Sequence, residues 1–90
     1  MSGTKLLSFC KSDKLENQAA CEGYILGVQD AIYSGHLSDK VNLCIPDGIS
    51  SKNLRLKLID LIEVFPEIAN YGAESVVAKS LHLNFRCKKK

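Results

Sequence analysis

Apolar and polar positions along the chain recur at helical intervals and nowhere alternate for long enough to demand a strand. Leu6, Leu7 and Cys10 share one face of a first short helix over 5–11, for which Thr4 is the expected cap. Ser12 and Asp13 break that pattern, and Asp13 with Glu16 predicts a capping-box start to a long second helix over 14–33. Ser34 and Gly35 end it, Gly35 being suited to a left-handed position just past the last turn. A third helix, capped by Ser50 or Ser51, carries Leu54, Leu58, Leu61 and Phe65 on one face with Ile59 and Ile62 beside them. Lys52, Arg55, Lys57, Asp60 and Glu63 fall mainly on the other side. Pro66 stops this helix at Phe65. A connecting turn over 66–72, with room for one turn of helix, leads to a fourth helix over 73–85 with Val76, Val77, Leu81 and Phe85 at core spacing.

The second helix carries the most specific pattern. Ala20, Gly23, Gly27 and Ala31 form a stripe almost free of side chain. Glycine inside a helix costs about 1 kcal/mol against alanine, so two of them one turn apart call for close approach of another helix. Either they relieve crowding inside one core, or the small face packs against a second copy, with Ile25, Val28 and Ile32 as the adjoining apolar surface. Glu22, Gln29 and Asp30 exclude a membrane span here. From 36–50 no period is sustained, yet Leu37, Val41, Leu43 and Ile45 require this long loop to lie against the core. The expected architecture is a single all-α domain over 1–87, with about four helices and a long loop between the second and third. The lysines at 88–90 are expected to form a disordered tail.

Ninety residues bury one core with little stability to spare, so covalent staples help. The four cysteines, with no closely spaced pair, disfavour a zinc site or a thioredoxin-type motif and favour two disulfides. Of three possible connectivities, Cys10 with Cys21 closes a short local turn, and Cys44 with Cys87 ties the mid-chain loop to the C-terminus. Disulfides imply an oxidising compartment, the periplasm or cell exterior. Met1-Ser2-Gly3-Thr4 lacks the apolar region of a signal peptide and reads as the start of a mature form with an added methionine. The net charge of +2 resides in the terminal lysines, leaving a near-neutral domain that is a poor partner for nucleic acid. No apolar run is long enough to cross a bilayer.

Candidate chemistry is sparse. The only histidines are His36, in a loop, and His82, on the fourth helix, and cysteines that are bridged offer no thiol to either. Their scatter matches no metal-ligand spacing, no glycine loop cradles phosphate, and no cofactor is expected. A small stapled scaffold with two polar connecting loops has the anatomy of a binding module rather than an enzyme. A secreted carrier holding a small apolar ligand in its Leu/Ile-rich interior is the alternative, and would need an internal cavity.

Cys10 and Cys21, followed by Gly23-Tyr24-Ile25, Gly27 and Asp30-Ala31, then Cys44-Ile45-Pro46, Leu54-Arg55, Phe65-Pro66-Glu67 and Asn84-Phe85-Arg86-Cys87, give a pattern that resembles the Rap/Tai immunity proteins. Those are periplasmic antidotes to peptidoglycan amidase toxins of the type VI secretion system. Arg86 stands where that pattern has a proline. The resemblance implies a helical, disulfide-bonded protein, often a homodimer, that occludes the active-site cleft of a cysteine-histidine peptidase and does no chemistry itself. Glu67, Asn70, Tyr71 and Glu74, at the turn between the third and fourth helices, combine an aromatic anchor with hydrogen-bonding groups and are the first candidates for toxin contact. Ser38, Asp39 and Asn42 in the long loop are the second.

Overall fold

A computed structural model describes residues 1–34, 43–46 and 48–87. Gly35, His36, Leu37, Val41 and the lysine tail lie outside the described residues. Four α-helices, α1 (Gly3–Lys11), α2 (Leu15–Tyr33), α3 (Ser51–Val64) and α4 (Ala73–Phe85), are accompanied by a 3-10 turn, Pro66–Asn70. Among the described residues there is no strand, only isolated bridges pairing Ser2 with Gly72 and Leu43 with Arg86. All-α is the observed class.

Caps are set by what each side chain can reach. Ser2, not Thr4, caps α1, its Oγ accepting from the Lys5 N–H. Thr4 instead donates its hydroxyl to the Ala69 carbonyl at 3.1 Å, a tertiary partner that overrides the local role. At α2 the cap position is Lys14, with no side-chain cap, so the Asp13–Glu16 box does not form. Ser12 organises this corner: its Oγ accepts from the Lys14 N–H and the Asn17 amide, and its carbonyl accepts from Gln18. Ser50 caps α3 through the Asn53 N–H. Phe65 closes α3 with its N–H on the Leu61 carbonyl, and Pro66 then opens the 3-10 turn.

The helices enclose one core in which Leu6, Ile25, Leu58, Val76, Val77 and Leu81 are buried almost completely. Removing one such aliphatic side chain from water contributes about 1.5–3 kcal/mol. Two disulfides close the frame as expected, Cys10–Cys21 joining α1 to α2 and Cys44–Cys87 joining the segment before α3 to the end of α4. Leu43 is buried beside the second of these.

Two residues of α3 depart from the sequence pattern. Arg55, expected on the solvated side, is buried: its Nε donates to Glu22 Oε2 at 2.9 Å and its Nη1 to the Cys10 carbonyl at 2.9 Å. Ser51 donates to the other oxygen of Glu22 at 2.7 Å, so the guanidinium enters the helix junction with its partners in place. Phe65, expected in the apolar stripe, is 48% exposed, because the chain turns away from the core at Pro66.

Candidate partner-binding surface

The α3–α4 connection begins where Pro66 removes the N–H that would continue the helix. Ile68 and Ala69 point into the core and anchor the turn, which leaves Glu67, Asn70 and Tyr71 on the outside. Its backbone is fixed by the chain's own start: Gly3 N–H donates to the Tyr71 carbonyl at 2.8 Å, Ala73 N–H to the Met1 carbonyl at 2.9 Å, and Thr4 to Ala69. Gly3 makes this approach possible, since a Cβ there would stand 2.8 Å from the Ala69 carbonyl oxygen and 2.9 Å from Val76 Cγ2. Nothing in the hydropathy pattern marks Gly3; only its position near the N-terminus of a helix stands out.

Tyr71 is 62% exposed on this buttressed turn, and Glu74 is exposed on the first turn of α4. The Tyr24 phenol of α2 is pushed above its usual range, chiefly by burial and further by the charge of Glu74. Glu67, Asn70, Tyr71 and Glu74 are all exposed, the first three along the turn and its end and Glu74 on the first turn of α4. Ser38, Asp39 and Asn42 lie outside the described residues.

Sequence reasoning missed the groove next to that turn. Leu61, Val64 and Phe65 of the α3 end face Leu83 and Asn84 of α4 across an open hollow of about 250 Å³, with Lys57 and Asp60 on its rim. Val64 and Leu83 are as exposed as a surface polar residue. Phe65 belongs to both features, lining the groove and leading into the turn, so the two form one continuous surface. The turn side is acidic, with Glu67 and Glu74 exposed, whereas the groove holds one charge of each sign, Lys57, which lies over the Phe85 ring, and Asp60.

The small-residue stripe of α2 lies elsewhere. Gly23 and Gly27 are exposed, and among the described residues a Cβ at either would meet nothing within 4 Å, so they relieve no crowding there. Ile25, Val28 and Ile32 pack into the core, on the side away from the glycines, and are not the exposed marker expected of a dimer face. Leu26 and Tyr33 are the exposed large side chains of this helix beyond its first turn.

All four cysteines are bridged, leaving no thiol nucleophile. His82 is partly buried with its Nδ1 unpaired, and among the described residues no cluster of three His, Cys, Asp or Glu side chains could hold a metal. The surface thus offers shape, apolar contact and hydrogen bonding.

The family model of the Rap1a immunity proteins matches residues 2–87. The chain belongs to the Rap1a immunity protein family. The match takes in all four helices and both disulfides, so membership is a statement about the whole described fold. An immunity protein acts by binding a toxin, which makes the partner of this chain another protein. Comparison with curated proteins gives no match.

Proposed function

We propose that this protein is a periplasmic antidote that binds a type VI secretion peptidoglycan amidase and occludes its catalytic cleft, without chemistry of its own. Family membership supports a toxin partner, and the two disulfides support an oxidising compartment. Among the described residues no helix is long and apolar enough to cross a membrane.

The observation that carries the occlusion reading is the turn at Pro66–Asn70, held by residues 1–4 before any partner arrives. A segment already ordered loses little conformational entropy on docking, so its contacts convert efficiently into affinity. Tyr71 and Phe65 provide aromatic anchors, Asn70 can donate and accept, and Glu67 and Glu74 accept only. A cysteine-histidine peptidase cleft is built from donors that stabilise negative charge in the transition state. An acidic, acceptor-rich turn complements such donors, and a bulky aromatic beside it keeps the wall peptide from the nucleophile.

A homodimer is part of the same proposal, with the exposed Gly23–Gly27 face of α2, flanked by Leu26 and Tyr33, as the contact between copies. Among the described residues the carrier reading finds no comparable support. The hollow between α2, α3 and α4 lined by Ile25, Leu54, Leu58, Val77, Ser80, Leu81 and Phe85 has no space even for a water-sized sphere.

The test is to direct the chain to the periplasm together with individual wall amidases and score lysis. Protection against one amidase, lost with Tyr71→Ala, is the expected outcome. If no amidase is bound or neutralised, the amidase assignment fails although the family assignment stands.

A further inference from the structure

We infer that Cys44–Cys87 is a thiol-exchange site, opened by a dithiol reductant while Cys10–Cys21 stays closed. The two bridges differ in access. Cys10 and Cys21 are both 0% exposed, inside the junction of α1 and α2, with the Cys10 carbonyl held by Arg55. Cys44 is exposed and Cys87 only partly covered, beyond the end of α4. Exchange requires in-line approach of a thiolate to one sulfur, so burial protects the first bridge and not the second.

Access assigns each sulfur a role. Cys44 is the more exposed of the two residues, so its sulfur is the one an incoming thiolate reaches. A dithiol therefore attacks Cys44 Sγ, forming a mixed disulfide as the Cys44–Cys87 bond breaks and the Cys87 thiolate leaves and takes a proton. The second thiol of the reductant then displaces Cys44, which also takes a proton. Two electrons and two protons pass from the dithiol, which ends as its own disulfide.

The fold tolerates this opening because the clasp fastens a margin of the core. Leu43 pairs with Arg86, and the Cys44 N–H donates to the Phe85 carbonyl at 2.7 Å, contacts that do not depend on the sulfurs. The rest of the core is packed among all four helices, of which α1 and α2 stay joined by Cys10–Cys21.

Native protein is exposed to graded dithiothreitol, quenched with iodoacetamide and mapped by peptide mass spectrometry, with far-UV circular dichroism in parallel. Cys44 and Cys87 are expected to be alkylated at least ~100-fold faster than Cys10 and Cys21, whose reduction waits on rare opening of the fold, with helicity retained. Labelling of all four together, or of Cys10 and Cys21 first, overturns the inference. The double variant Cys44→Ser/Cys87→Ser is expected to melt cooperatively with full helical signal. Its failure to fold would show the clasp to be structural and would equally overturn the proposal.

Discussion

Arg55 carries a charge into a junction of three helices, and the cost of placing it there is met by specific partners. Replacing it with methionine keeps the volume and removes both donors, leaving the Cys10 carbonyl and Glu22 without them. Breaking a buried pair costs about 3–5 kcal/mol. The Glu22 side chain is 22% exposed and retains Ser51, so it rehydrates in part, and Arg55→Met is expected near ~3 kcal/mol in urea unfolding. Glu22 gives a pH signature as well. Its carboxyl is held below the usual 4.5, first by the Ser51 hydroxyl and also by Arg55, against an opposing contribution from burial. Folding thus lowers this pKa, so the stabilisation is complete above pH 4.5 and is lost as pH falls through the folded-state value. Glu22→Gln should flatten the fall in melting temperature below pH 4.5 and leave the neutral-pH slope as it was; an unchanged acid limb would show that other carboxylates govern it. Neither partner is singled out by hydropathy spacing, which sorts Arg55 with the solvated residues because it reads polarity and not pairing.

At the scale of elements, spacing specified the helices better than their faces or caps. The limits of α4 and the stop of α3 follow from core periodicity and from Pro66, both local properties. The caps of α1 and α2 were misplaced because Thr4 is claimed by Ala69 and Ser12 orders the α2 corner in place of Asp13. Helix α2 shows the other limit: Ile25, Val28 and Ile32 on one side and Gly23, Leu26 and Gly27 on the other are all nonpolar, so the pattern cannot say which side is inward. With open space over both glycines, Gly23→Ala and Gly27→Ala should each stabilise the isolated chain by roughly 0.5–1 kcal/mol through helix propensity. If this face joins two copies, the same methyl groups hold the helices apart. Sedimentation should then show a weakened dimer alongside a higher melting temperature. Stabilisation with unchanged self-association would remove α2 from the interface.

For the whole molecule, the decisive relation is between the chain's first residues and the turn they hold more than sixty positions later. Sequence marked the turn as a contact candidate from Tyr71 and its polar neighbours, but the groove at Val64, Phe65 and Leu83 depends on how α3 and α4 cross, which no local pattern encodes. Tyr71→Ala and Phe65→Ala truncate exposed side chains, so melting temperature should hardly move. Binding to the cognate toxin, measured by calorimetry, should weaken by about 2 kcal/mol for an interface anchor, roughly thirty-fold in Kd. Gly3→Ala separates contact from preorganisation, because Gly3 lies beneath the turn and is itself buried. The added methyl meets a backbone oxygen that cannot rotate away, so the turn must shift, at a cost of about 1–3 kcal/mol in stability. A displaced turn presents Tyr71 and Glu67 in the wrong register, and affinity should fall although neither side chain has changed. Thr4→Ala, which removes one hydrogen bond and adds no bulk, should cost only about 1 kcal/mol and leave affinity nearly intact. A Gly3→Ala protein that is destabilised yet binds its toxin with wild-type affinity would show that the toxin is held by some other part of the surface.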